Sequence, residues 1–339
     1  MKVIRSKAKE LMKGSCRLCP VCDGRACVGE VPGMGGLGYA FRNNVAALSD
    51  ITLNMRLVHE VREPDPATAW LGLELSMPVV AAPIGGTFNF NEAVSEDAYI
   101  HAVLKGCRAA GVIGCTGDGV PPVIINSAVS AIKNAQGHGI PFIKPWESGE
   151  FDEKMELVIA SGCPVMGMDI DAAGLTTLRK MGRPVGPKTL KELTKIVEKV
   201  KKAGVKFIVK GVMTVQDAYS VVEAGADCLV VSNHGGRVFG AAPGTAQVLP
   251  AIARAVRGKI SVMVDGGVRN GADVFKMLAL GADIVGMGRP VTIAAIGGGS
   301  EGVNTWLTMV KNELVQTMIL TGCRDIKAID EAAIFVPQR

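Results

Sequence analysis

The chain has 339 residues, 48% hydrophobic, with 37 Lys and Arg against 32 Asp and Glu and a formal net charge of +5. That is ample material for one large core, and the dispersed, mild basic charge without interleaved aromatics excludes a nucleic-acid surface. No apolar run reaches spanning length, so no membrane span is expected.

The first ten residues are polar and lack the apolar stretch of a secretory leader. Nine cysteines without such a leader point to reduced thiols or metal ligands in a cytoplasmic protein, not to a disulfide framework. Residues 1–75 read as an amino-terminal extension without barrel units. They carry Cys16, Cys19, Cys22 and Cys27, spaced so that four thiols can reach one tetrahedral metal. Zinc and an iron–sulfur cluster fit equally, and a set of metal-free thiols is the plain alternative. Cys107, Cys163, Cys228 and Cys323 sit in apolar surroundings and are expected in the core. His59, His101 and His138 have no partners at informative spacing.

From residue 76 to 339 an internal repeat emerges. Ala110-Gly111-Val112, Ala203-Gly204-Val205, Ala224-Gly225-Ala226 and Leu280-Gly281-Ala282 each close a helical pattern and open an apolar strand, glycine being the usual left-handed helix cap. Apolar runs at 79–83, 112–115, 141–144, 164–170, 206–209, 228–231, 260–264 and 284–287 predict eight strands buried on both faces. Helical patterns at 96–109, 190–203, 215–224, 245–256 and 272–280 separate them, and 301–321 reads as a last helix outside the sheet. Eight such units describe an α/β protein of the (β/α)8 TIM-barrel class, with its site at the strands' carboxyl ends. An open doubly wound sheet is the runner-up, but residues 82–86 lack the spacing of a dinucleotide loop.

Five of the runs end in Asp171, Lys210, His234, Asp265 and Arg289, most beside glycines. A lone imidazole is more often structural, but five charged strand ends in series describe a shared rim. Asp265-Gly266-Gly267-Val268-Arg269 and Gly288-Arg289-Pro290 suit a phosphate, with Arg269 and Arg289 adding charge-assisted bonds; pairing of these arginines with Asp273 or Asp283 is the alternative. Lys210 can stabilise negative charge on an electron-rich ring, or be a structural partner of Asp171. His234 suits a general base, Asp171 an orienting carboxylate and Arg237 a substrate carboxylate.

The motifs Val209-Lys210-Gly211, Ser232-Asn233-His234-Gly235-Gly236-Arg237, Asp265 to Arg269 and Gly288-Arg289-Pro290 resemble the FMN-dependent α-hydroxy-acid oxidase/dehydrogenase family, the glycolate and lactate oxidases among them. The likeness is dense over 205–291 and thinner through 44–48, 77–83 and 169–171. It implies a barrel holding FMN, with Lys210 at the flavin N1/O2 edge and His234 as the base, oriented by Asp171. Pro83, Ile84, Gly85, Cys115, Ser232, Asp265, Gly266, Gly267, Arg269, Gly288 and Arg289 would surround the cofactor. Arg237 and Trp146 would meet a 2-hydroxy acid, which becomes a 2-oxo acid. The electron acceptor is unspecified, and a homo-oligomer is expected.

Where the family places two substrate tyrosines, this chain has Glu30-Val31-Pro32, with Tyr39 out of register, and Ile143-Lys144-Pro145-Trp146. The second strand ends in Cys115-Thr116-Gly117-Asp118-Gly119 in place of a serine-rich turn. The flavin half therefore resembles the family closely, and the substrate half is rebuilt. Two other functions stay open: a flavin isomerase resembling the type 2 isopentenyl diphosphate isomerases, and a flavin- and metal-binding redox sensor.

Overall fold

The computed structural model describes residues 1–12, 16–24, 38–147, 149–183 and 185–336. All eight expected strands form, close to the predicted bounds: Val79–Ala81 (β1), Ile113–Thr116 (β2), Ile140–Ile143 (β3), Val165–Asp169 (β4), Lys206–Val212 (β5), Cys228–Val231 (β6), Ser261–Val264 (β7) and Ile284–Met287 (β8). Each is parallel to its neighbours, and β8 pairs with β1 to close a barrel. Val80, Ile113, Phe142, Ile208, Val230, Met263 and Ile284 fill its interior. The fold is the (β/α)8 barrel that the repeat implies.

A short hairpin, Thr68–Trp70 with Leu73–Leu75, closes the amino-terminal end of the barrel. Trp70 is buried there, and its indole N–H donates to Ser261 Oγ at the start of β7 at 2.9 Å. The opposite end, where the strands finish, remains for the charged residues.

The helices are Lys2–Leu11 (α1), Tyr39–Asp50 (α2), Glu96–Ala109 (α3), Pro122–Asn134 (α4), Glu150–Ile159 (α5), Thr176–Lys180 (α6), Leu190–Lys202 (α7), Val215–Glu223 (α8), Thr245–Val256 (α9), Gly271–Ala279 (α10) and Arg289–Thr321 (α11). Their starts follow the capping rules. Thr189 and Glu192 form a reciprocal capping box on α7, whose Leu193, Val197 and Val200 face inward while its lysines face water. Gly111, Gly204 and Gly225 adopt the positive φ expected of helix-ending glycines.

The last helix differs from expectation. It begins at Arg289, not near residue 301, and is broken at Gly299, where φ is +59° and ψ is −149°. The glycine run 297–299 reads as a terminator, but Gly297 serves close packing: a Cβ there would lie 2.1 Å from Ile4 O on α1. Residues before the barrel are tied to the rest of the chain by α1 against α11, by α2 at the mouth, by the hairpin at the closed end and by the pairing of Thr52–Leu53 with Ile334–Phe335, among other contacts. Among the described residues, no helix is long and apolar enough to cross a membrane.

Candidate active site

His234 follows β6 and sits in a tight turn with φ +56°, a conformation a side chain rarely adopts. The turn is held from both sides. Ser232 Oγ accepts the His234 N–H at 3.1 Å, and Asn233 Oδ1 accepts the Gly236 N–H at 3.1 Å. Asn233 and Asn44 on α2 exchange amide hydrogen bonds of 2.8 and 2.9 Å. Gly236 lets α2 come close, since a Cβ there would lie 2.5 Å from Phe41 N.

The imidazole Nδ1 lies 3.0 Å from Asp171 Oδ1 and 3.5 Å from Lys210 Nζ. The shorter contact to a carboxylate places the proton on Nδ1, which leaves Nε2 with its lone pair. Burial, reinforced by the Lys210 charge, holds His234 well below its ordinary pKa, so it rests neutral. Burial pushes Asp171 up, against the pull of Lys210, Lys144 and Arg237. Asp171 reaches the imidazole because β5 bulges at Gly211. There φ is +111°, and a Cβ would lie 2.5 Å from Asp171 Cβ.

Lys210 is buried in β5, 3.3 Å from Asp169 Oδ1. Burial alone would lower its pKa, but Asp169, Asp171 and Asp265 together raise it, so the ammonium is held charged. Asp265 follows β7 and accepts the Ser232 hydroxyl at 2.6 Å. Arg237 is half-buried, and burial lowers its pKa against the pull of Asp169 and Asp171, while its Nε has no hydrogen bond among the described residues.

On the far side of the mouth, Arg269 and Arg289 flank the Phe41 ring, with their guanidinium carbons 5.9 and 4.5 Å from its centre. Arg289 Nη2 donates to Gly235 O at 3.2 Å. Burial and the neighbouring Arg269 charge bring Arg289 down to about 10. Asp273 accepts the Arg269 backbone N–H and Asp283 accepts from the Ser261 hydroxyl and the Val262 N–H, and among the described residues neither pairs with an arginine side chain. Gly266 and Gly267 have a reason beyond ligand approach: a Cβ at either would press on Asn44, at 3.0 and 2.6 Å. Helix α2 therefore clamps both the His234 turn and the Gly266–Gly267 loop after β7.

The remaining expected residues fall as follows. Pro83, Ile84 and Gly85 leave β1 at the mouth, with Gly85 packed on Gly117. Gly288 precedes α11 beside Ile84. Cys115 is 2% exposed inside the barrel, and burial carries its thiol well above the ordinary range. Trp146 is also 2% exposed, and its indole N–H goes to Asp118 Oδ2 at 2.5 Å, which leaves it little surface to offer a substrate. Asp118 further accepts from Lys154 Nζ at 2.8 Å and the Lys144 N–H at 3.1 Å. It is Lys144, at the end of β3, that joins the charged mouth, 3.9 Å from Asp169 Oδ2. Lys144 and Asp169 both obey the strand-end rule that singled out the other five. His101 and His138 bind local backbone carbonyls away from the mouth.

Cys16, Cys19 and Cys22 are half-buried, and Cys27 lies outside the described residues. Arg5 on α1 donates to Leu18 O at 3.2 Å and Cys19 O at 2.7 Å. Cys22 Sγ accepts from Arg269 Nη2 at 3.7 Å, which seats this segment beside the Arg269–Arg289 pair. Among the described residues, the group of three metal-ligand types within 4.8 Å of one another is Asp169, Asp171 and His234, not the cysteines.

A parallel barrel that gathers an imidazole–carboxylate pair, two buried lysines and a pair of neighbouring arginines at its strand ends has the form of a (β/α)8 enzyme. Residues 31–191 and 176–336 match the model for the FMN-dependent dehydrogenase family. The chain is 33% identical to an L-lactate oxidase of Lactobacillus jensenii over 327 residues, 87% of this chain and 78% of the relative. A peroxisomal (S)-2-hydroxyacid oxidase of Arabidopsis thaliana is 49% identical over 123 residues, 36% of this chain and 34% of its own. The structure of a putative lactate oxidase from Pediococcus acidilactici superposes with a TM-score of 0.80 at 22% identity, covering all of this chain and 94% of that one. The protein belongs to the FMN-dependent dehydrogenases, the oxidoreductases that act on the CH–OH group of α-hydroxy acids.

The residues present fit FMN. Arg269 Nε is buried without a partner among the described residues, beside a second arginine, which suits an anion such as its phosphate. Thr116 Oγ1 is likewise buried at the mouth without a hydrogen bond among the described residues, as suits a site that meets a polar ring.

Proposed function

We propose that the protein oxidises a lactate-like or larger 2-hydroxy acid to its 2-oxo acid, with His234 as base and Arg237 holding the carboxylate. The observation that carries this reading is the His234–Asp171 pair at 3.0 Å, set between Lys210 and Arg237. Arg237, with Nε unpaired, is the cation available to a substrate carboxylate. Neutral His234 accepts at Nε2 the proton that the substrate loses. Asp171 holds the imidazole in the required tautomer and stabilises the cation that forms. Lys210 faces the flavin's electron-rich edge, while Arg269, Arg289, Asp265 and Gly267 hold its phosphate and ribityl chain. Bound FMN supplies the two-electron acceptor.

Anaerobic addition of a panel of 2-hydroxy acids to the purified yellow protein tests this. Bleaching of the flavin bands by at least one acid is expected, with the rate falling about 100-fold or more in His234→Gln. A flavin that none of them reduces removes the proposal. Bleaching also separates this reading from an isomerase, which leaves no net change in its flavin.

We infer further that Cys16, Cys19, Cys22 and Cys27 hold a zinc ion or an iron–sulfur cluster, on the strength of their spacing and the seat of Cys22 against Arg269. Iron and acid-labile sulfide in anaerobically prepared protein would make the cluster the electron exit, whereas stoichiometric zinc would make it structural. Neither metal in such protein would discard the inference. We place the protein in the reducing cytoplasm on the number of its cysteines, expected as thiols or metal ligands.

A further inference from the structure

Three consecutive strands of the barrel place three charges in one row. Asp169, the last residue of β4, is in register with Lys210 on β5. Ile143 on β3 is in register with Met168, so Lys144 comes next to Asp169. Residues in register on adjacent parallel strands project to the same side, and here the side chains meet. Asp169 Oδ1 lies 3.3 Å from Lys210 Nζ, and Oδ2 lies 3.9 Å from Lys144 Nζ. The side chains of Asp169 and Lys210 are 4% exposed and that of Lys144 is 11% exposed, so solvent screens the row weakly.

The row holds two ammonium groups and one carboxylate. One carboxylate therefore faces both ammonium groups, one oxygen to each, and cannot balance the two. Burial pulls Lys144 down in pKa, while Asp169 and Asp118 favour its charged form. Asp118 itself is committed to Lys154, the Trp146 indole and a backbone N–H. Lys144 is therefore a second buried cation at the mouth, whose main mobile partner is the carboxylate it shares with Lys210.

We propose that Lys144 and Asp169 set the reduction potential of the bound flavin in opposite directions, Lys144 raising it and Asp169 lowering it. The proposal rests on the FMN reading above. A buried positive charge favours the form of the ring that carries added electrons, and a buried negative charge opposes it. Lys210 alone would be nearly neutralised by Asp169. With Lys144 sharing that carboxylate, the row presents a net positive face. Both are positioning residues, acting through the field they impose and not by contact with substrate.

The test uses the holoprotein with two readings independent of turnover: the flavin midpoint potential against reference dyes, and the affinity of the oxidised flavin for sulfite by absorbance. Lys144→Met should weaken sulfite binding about tenfold or more and lower the potential by about 30 mV or more for the two-electron couple. Lys144→Arg should stay near the parent protein. Asp169→Asn should shift both readings the other way, and the double variant should return towards the parent. Should Lys144→Met fail to retain flavin, Lys144→Gln and Asp169→Asn carry the same test. Unchanged potential and sulfite affinity in the charge-removing variants would overturn the proposal. A parent protein that binds no FMN would instead overturn the reading on which it rests.

Discussion

His234 holds a left-handed backbone that costs on the order of 1–3 kcal/mol, repaid by the hydrogen bonds of Ser232 and Asn233 within its own turn. Its depressed pKa has a definite sign in a pH profile. The base form is already present at neutral pH, so kcat/KM for a 2-hydroxy acid should stay level as pH falls through about 6.5 and drop only below it. In Lys210→Met, which removes a cation opposing protonation, the falling limb should move up towards that value; a limb that stays in place would argue against Lys210 as a cause. Stability follows the same sign. Below about 6.5 the unfolded chain binds a proton that the folded imidazole resists, so folding weakens as pH drops. Gly211 is the second residue on which the pair depends. Gly211→Ala should cost about 1–3 kcal/mol in denaturant unfolding and lower kcat, because its φ of +111° is strained for alanine and the new Cβ would displace Asp171.

At the scale of elements, α1 and α11 meet through Gly297, and α1 in turn holds the cysteine segment through Arg5. Gly297→Val should therefore loosen that segment from a distance. The expected outcome is alkylation of Cys16 and Cys19 by iodoacetamide about tenfold faster, since an overpacked contact of this kind costs about 1–3 kcal/mol. Equal rates would mean that α1 does not restrain the segment. The eight strands were legible in the sequence because burial on both faces writes an unbroken apolar run, and the helices because their lysines alternate with an apolar stripe. Helix α11 was legible only in its second half, since a glycine run reads as a stop wherever its reason is contact with another helix. The clamp formed by α2 was hidden for a related cause: Asn44 and Asn233 are partners 189 residues apart. His234, Asp171 and Lys210 could be found from strand ends alone and the structure brings them together. Lys144 obeyed the same rule, but beside Trp146 it read as part of a rebuilt substrate stretch.

On the scale of the whole molecule, the mouth is a ring to which every strand contributes and which α2 closes from outside. Its catalytic side sets Lys144, Lys210 and Arg237 against Asp169, Asp171 and Asp265, whereas Arg269 and Arg289 lie together across Phe41. The repulsion between those two arginines is felt by β7, β8 and α11 at once, so an anion placed between them should steady the barrel as a unit. FMN at about 100 times its Kd should add about 2.7 kcal/mol to stability and raise Tm. Riboflavin, with the same ring and no phosphate, should give much less at the same concentration. Arg289→Met should destabilise the apoprotein, because the hydrogen bond to Gly235 O and the contact with Phe41 go with the charge. It should also abolish the difference between the two flavins. If riboflavin protects the parent protein as well as FMN does, the arginine pair is not the phosphate site and the ring alone provides the binding energy.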